Sequence, residues 1–294
     1  MTSTFDTARI DVGGLTIAAE IGGQGPPLLL LHGYPQTRRL WRDVAPALAE
    51  RFTVVLTDLR GYGESDAPVG PPDGSAYSKR NMAADQLAVM RHLGFPRFAV
   101  AGHDRGGRVA HRMCLDAPDA VAAAAVLDIV PTLQLFEETD QAFARAYYHW
   151  FFLSQAPPLP ERLIGGAPRD FLALTLDRWS GPRYAYDAET FEHYAEAFDE
   201  DTIRASCDDY RAAAGIDLEH DAEDRDRRIG CPLLVMWGES GAMHRLYDVA
   251  ATWADRADDV VSVSLPCGHF LPEEQPAATT DALLAFFTRE EVWT

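Results

Sequence analysis

The side chains best suited to chemistry sit at a turn in the first half of the chain, in the order Gly102-His103-Asp104-Arg105-Gly106. A short apolar run precedes this pentapeptide and a helical pattern follows it. That is the glycine–x–nucleophile–x–glycine form of a nucleophile elbow, where small flanking residues permit a tight strand-to-helix turn. A glycine-flanked aspartate is also a common helix N-cap, so the pentapeptide alone is a weak signal. What distinguishes it is aspartate in the place where serine is usual. A serine that displaced a leaving group from saturated carbon would form an ether, which water cannot readily cleave. A carboxylate forms an ester, which a second step can hydrolyse. The helix starting at Gly106 points its positive end at Asp104 and favours the ionised form. The expected chemistry is therefore displacement at carbon.

Two further segments fit this reading. His32-Gly33-Tyr34-Pro35 follows the first apolar run, and the backbone N–H groups of Tyr34 and Arg105 are candidate oxyanion donors. Cys267-Gly268-His269-Phe270 follows the last apolar run and offers His269 as a base, although a lone histidine is more often a packing residue. Its acidic partner is expected to be Asp128, at the end of Ala123–Leu127, with Glu239 in Gly238-Glu239-Ser240-Gly241 as the alternative. The chain order Asp104, Asp128, His269 matches nucleophile, acid, base. Arg105 and Arg108 are three residues apart at the start of the helix, hence on one face. Cations at a helix N-terminus are unfavourable unless an anion offsets them. A surface salt bridge is the ordinary explanation; the sharper one is a planar clamp on a substrate carboxylate.

The elements that must position these groups follow from hydrophobic patterning. Pro27–Leu31, Thr53–Thr57, Phe98–Gly102, Ala123–Leu127, Leu233–Trp237 and Val260–Leu265 read as strands, and Tyr77–Leu93 as a helix. Residues 8–21 alternate around Gly13-Gly14 and predict an antiparallel hairpin at a sheet edge. Between Pro131 and Arg228 the strand pattern stops. Helical patterns replace it, the first a long one over Glu137–Gln155. The expected organisation is an α/β core over 1–130 and 229–294, with a helical cap over 131–228.

Composition narrows the partners. The formal charge of the 294 residues is −19, which argues against nucleic acid. The cap segment carries 21 acidic and 10 basic side chains, so it holds over half of that excess. An anionic substrate is accordingly expected to be repelled on approach, and added salt to raise kcat/KM. No apolar run is long enough to span a bilayer, and the N-terminus lacks the basic and apolar regions of a signal peptide. A cytoplasmic location with no membrane partner is expected. The four cysteines lack metal-ligand spacing and read as packing residues, and no metal or cofactor is expected.

Taken together, the chain resembles the fluoroacetate dehalogenases, a haloacetate-dehalogenase branch of the α/β-hydrolase fold. The likeness runs through His32-Gly33-Tyr34-Pro35-Gln36-Thr37, Gly102-His103-Asp104-Arg105-Gly106-Gly107-Arg108, Tyr148-His149-Trp150 and Gly268-His269-Phe270-Leu271-Pro272-Glu273-Glu274. The second and third motifs are the specific ones. The resemblance implies a mostly parallel sheet with an inserted helical cap, Asp104 as nucleophile, Asp128 and His269 as acid and base, and Arg105 with Arg108 on the carboxylate. It further implies His149, Trp150 and Tyr210 as halide donors, Trp179 as a pocket residue, a homodimer, and a small anionic 2-haloacid plus water as reactants. Taken singly, the three donors would pass for cap packing. An epoxide hydrolase shares the aspartate, the His-Gly-x-Pro turn and the cap, with tyrosines such as Tyr147, Tyr148 and Tyr210 to protonate the ring oxygen. A haloalkane dehalogenase shares the nucleophile. The neutral substrate of either leaves the two arginines unused. A ligand receptor on this fold fits less well, because nucleophile, acid and base are all present.

Overall fold

Uninterrupted apolar runs belong to strands covered on both faces, and such strands pair in parallel. The computed structural model, which describes residues 5–293, places them so. Eight strands form one sheet: β1 (Asp6–Asp11), β2 (Thr16–Gly22), β3 (Pro27–Leu31), β4 (Thr53–Thr57), β5 (Phe98–His103), β6 (Val121–Leu127), β7 (Leu233–Gly238) and β8 (Val260–Leu265). Their order is β1-β2-β4-β3-β5-β6-β7-β8. The β1–β2 hairpin is antiparallel and joins β4 antiparallel, while the remaining strands pair in parallel. Residues of β3 alternate between two cores. Leu28 and Leu30 pack with Trp41 and Phe287 on one face, and Leu29 and Leu31 with Val109 and Met113 on the other.

Helices α1 (Ala45–Leu48), α2 (Lys79–His92) and α3 (Arg105–Asp116) belong to the first half of this layered unit. The helix expected over Tyr77–Leu93 starts at Lys79, because the Ser78 hydroxyl caps it by accepting from Asn81 N–H. Between β6 and β7 lie eight helices and no strand among the described residues: α4 (Thr132–Glu137), α5 (Gln141–Ala146), α6 (Tyr148–Leu153), α7 (Leu159–Gly165), α8 (Pro168–Trp179), α9 (Ala188–Ala197), α10 (Glu200–Ala213) and α11 (Ile216–Glu223). The single long helix expected over Glu137–Gln155 is therefore two short ones. Asp140 starts α5 by capping Phe143 N–H at 2.7 Å, and the backbone leaves the helical region at Tyr147, with φ −107° and ψ 34°. Helices α12 (Ala242–Leu246), α13 (Val249–Ala254), α14 (Leu271–Glu274), α15 (Pro276–Phe287) and α16 (Glu290–Trp293) complete the chain. The four cysteines are free thiols, and Cys114 and Cys231 lie with their sulfurs 4.0 Å apart. Among the described residues no helix is long and apolar enough to cross a membrane.

Candidate active site

Asp104 stands between β5 and α3 with φ 47° and ψ −113°, a conformation few non-glycine residues adopt. The turn is possible only because its flanks are bare. A Cβ on Gly102 would sit 2.3 Å from the Gly106 carbonyl oxygen, and one on Gly106 would sit 2.4 Å from that of His32. The strained turn lifts the Asp104 carboxylate out of the sheet, where it accepts from Tyr34 N–H at 3.0 Å through Oδ1. Its other oxygen, Oδ2, is 3.9 Å from His269 Nε2. Asp128, at the end of β6 and also at positive φ, lies 2.6 Å from His269 Nδ1 and accepts from Gly238 N–H at 3.0 Å. A carboxylate can only accept, so His269 carries its proton on Nδ1 and turns Nε2 toward Asp104. Glu239 is elsewhere: it accepts from the Ser264 hydroxyl at the exposed edge of the sheet.

These groups tune one another. Burial opposes ionisation of Asp104, yet His269 and Arg105 beside it hold its pKa below the usual carboxylate value. Burial likewise disfavours the charged imidazole of His269, but the Asp128 hydrogen bond and the two aspartate charges raise its pKa. A cavity of about 100 Å³ adjoins them, and Asp104, Asp128, Tyr147, His149, Trp179 and His269 are among the residues that line it. Trp179 packs its ring 4.4 Å from that of His149 and 5.5 Å from that of His269, centroid to centroid.

Arg105, Arg108, Trp150 and Tyr210 do not line this cavity but stand directly behind it. Tyr210 meets the His149 ring edge-on at 5.7 Å and the Trp150 ring at 5.8 Å. The Arg105 guanidinium lies 4.3 Å over the Tyr210 ring, and that of Arg108 lies 4.5 Å over the Trp150 ring. Five buried polar atoms in this group have no hydrogen-bond partner within the protein: Arg105 Nη1, Arg108 Nε, His149 Nδ1, Trp150 Nε1 and Tyr210 Oη. Burial pushes the His149 pKa well down, so its ring is neutral, and pushes that of the Tyr210 hydroxyl well up, so it keeps its proton. Burial, and next the charge of Arg105, lower the Arg108 pKa to about 10, which leaves it a cation at neutral pH.

The profile of the alpha/beta hydrolase fold matches residues 26–276. The chain belongs to the α/β-hydrolase fold family. It is 48% identical to a fluoroacetate dehalogenase from Burkholderia sp over 97% of this chain and 94% of that one. It is 35% identical to a soluble epoxide hydrolase from Corynebacterium sp. (strain C12), over 90% of this chain and 91% of the relative. Among solved structures it resembles an α/β hydrolase from Nostoc sp PCC 7120, with a TM-score of 0.95 and 52% identity, covering 97% of this chain and 99% of that one.

In this hydrolase the clamp expected from Arg105 and Arg108 has a different construction from the one the sequence suggests. Arg105 is already paired: its Nε and Nη2 donate to Asp209 of α10 at 2.9 and 2.5 Å, with both side chains fully buried. Asp209 also takes the Lys79 ammonium and the Tyr62 hydroxyl. Burial opposes this carboxylate, yet Arg105 and Lys79 hold its pKa far below the usual range. Only Nη1 of Arg105 is left without a hydrogen-bond partner. Arg108 is anchored by Nη1 on the Val130 carbonyl and the Thr132 hydroxyl, both at 2.9 Å, leaving Nε.

Two carboxylates of α14, Glu273 and Glu274, brace the segment that carries His269. Glu274 accepts from Gly268 N–H and Gly181 N–H at 2.8 Å each and from Phe270 N–H at 3.0 Å, and His269 N–H donates to the Trp179 carbonyl at 2.9 Å. Glu273, with a fully buried side chain, accepts from Tyr186, Tyr194, Arg42 and Gln36, and burial pushes its pKa up to about 7. Asp209 could have been suspected from its place beside Tyr210 in Asp208-Asp209-Tyr210-Arg211. Nothing local marks Glu274.

Proposed function

We propose that this hydrolase removes halide from small 2-haloacids such as fluoroacetate, yielding the 2-hydroxyacid, through an ester on Asp104. The observation that carries the reading is the set of five buried polar atoms without a protein partner near Asp104, four of them N–H or O–H donors and the fifth, His149 Nδ1, a donor in one of its two tautomers. Two belong to cations and suit a carboxylate. Three belong to neutral rings and suit a departing halide, which gains charge in the transition state. A cavity of about 100 Å³ is small beside ordinary ligand pockets, as a two-carbon acid requires. The name of the Burkholderia relative agrees with it.

In this mechanism Asp104 Oδ1 is held by Tyr34 N–H, and Oδ2 attacks the halogen-bearing carbon. The carbon–oxygen bond forms as the carbon–halogen bond breaks, and halide leaves with the electron pair toward His149, Trp150 and Tyr210. His269 Nε2 then takes a proton from water, whose oxygen adds to the Asp104 carboxyl carbon. The backbone N–H groups of Tyr34 and Arg105 stabilise the oxyanion, and the hydroxyacid leaves with a proton. Ester formation cancels the Asp104 charge, one of the charges that raise the His269 pKa, so the first step prepares the base for the second.

The epoxide-hydrolase reading, which the name of the Corynebacterium relative favours, needs tyrosine hydroxyls at a ring oxygen. Tyr210 has a free hydroxyl, but Tyr148 lies exposed under Arg178. Fluoride release from fluoroacetate, set against diol formation from styrene oxide, tests the proposal. Diol without halide would replace it with the epoxide reading, and neither product would leave a binding protein.

A further inference from the structure

The cavity that begins at Asp104 and His269 is also lined by Arg178 of α8 and Arg245 of α12. Both arginines are exposed, whereas the two carboxylates in the wall, Asp104 and Asp128, are buried. The passage therefore runs from a cationic mouth to an anionic floor, with one wall of the mouth from the helices between β6 and β7 and the other from the segment after β7. We propose that Arg178 and Arg245 form a portal that recruits a small carboxylate anion into the site, an inference that rests on the haloacid reading above.

Both stand in neutral surroundings at the opening of the cavity. Arg38 and Arg112 each meet three carboxylates, as befits cations in a chain of charge −19. Among the described residues neither Arg178 nor Arg245 has a carboxylate within ion-pair distance. The Arg178 guanidinium lies 5.3 Å over the Tyr148 ring and donates to the Arg145 carbonyl at 3.5 Å, and Arg245 donates to the Ser240 carbonyl at 2.7 Å. Anchors of this kind hold a guanidinium in place without cancelling its charge. An anion that has come within a Debye length of the mouth, about 10 Å at 0.1 M salt, feels these two nearby charges more strongly than the screened charges elsewhere on the surface. The salt dependence expected from net charge is thereby reversed: association should slow as salt rises. Charges at a rim act on the association rate and its salt dependence, while those in the desolvated site act on dissociation.

The test is stopped-flow fluorescence, with Trp179 in the cavity wall as reporter, using fluoroacetate as the anionic probe and fluoroacetamide as its neutral counterpart. Sodium HEPES supplies ionic strength, since its anion is too bulky for the cavity. In the unmodified protein the fluoroacetate association rate should fall with salt. The Arg178→Gln/Arg245→Gln double variant should associate roughly tenfold more slowly at low salt and lose that dependence, with dissociation unchanged. The Lys/Lys double variant should restore both, and fluoroacetamide should be indifferent throughout. Fluoride release at sub-saturating fluoroacetate, read as kcat/KM, should give the same pattern and replaces fluorescence if binding is optically silent. Equal association rates and salt slopes in the unmodified and Gln/Gln proteins, alongside normal fluoride release, would overturn the portal and leave the haloacid reading standing. Arginine-dependent fluoroacetate binding without halide release would do the reverse. Neither binding nor release would overturn both.

Discussion

The pKa values of Asp104 and His269 are shifted in opposite directions, and this gives the two proposed steps different acid limits. Displacement needs Asp104 ionised; because neighbouring cations lower its pKa, that step is lost only when pH falls below the ordinary carboxylate range. Ester hydrolysis needs His269 neutral; its pKa is raised, so this step fades at a higher pH. Moderately acidic conditions should therefore give one equivalent of halide per site with slow hydroxyacid release, visible by rapid quench and by the intact mass of the ester. Both steps falling together on one titration would contradict the division of labour. His269→Asn should trap the same ester at neutral pH. Single turnover in heavy-oxygen water should label Asp104, whereas label found only in the product would mean direct attack by water. The three ring donors are predicted to matter in proportion to the leaving group's need. Trp150→Phe or Tyr210→Phe should cut fluoroacetate turnover by up to about 10²–10³, the scale known for a lost oxyanion donor, and bromoacetate turnover much less. Equal losses would mean that these rings only shape the pocket.

At the scale of elements, the tie between α10 and α3 is the part of the site that most needs its partner. Asp209 is the carboxylate that both Arg105 and Lys79 share. Asp209→Asn should destabilise the fold by about 3–5 kcal/mol, the usual cost of removing one member of a buried ion pair. It should also lower kcat/KM for haloacetate more than for haloacetamide, because Arg105 loses its fixed orientation. Denaturant unfolding and paired kinetics would check this; unchanged stability would show that the two cations find another anion. The position of Asp209 beside Tyr210 is a local hint, but its pairing was not legible in the sequence, since its partner Arg105 is more than a hundred positions away. The six apolar strands and the elbow were legible because each is written in a contiguous run or motif. The break at Tyr147 was not: the aromatic run from Tyr147 to Phe152 keeps helical spacing on both sides, and it is Asp140 capping α5 and the turn at Tyr147 that divide it. That division gives His149 and Trp150 a helix of their own.

For the whole molecule, net charge is a poor guide to what a substrate meets. A formal charge of −19 coexists with a cavity mouth whose charged residues are Arg178 and Arg245. Composition averages over a surface on which most cations are already matched to carboxylates, whereas an approaching anion samples one opening. A second consequence belongs to the stitching around α14. Glu274 grips the backbone on both sides of His269 and, with the same oxygen that takes Gly268, the start of the loop after α8. The base is thus hung from the helical insertion as much as from the sheet. A lid swinging away as a rigid flap would have to break the Gly181–Glu274 and His269–Trp179 hydrogen bonds that steady the imidazole, so substrate exchange is predicted to proceed by smaller movements around the mouth. Nor should this hydrolase have a working minimal form: excising the stretch between β6 and β7 would leave a sheet whose histidine has lost the scaffold that aims it.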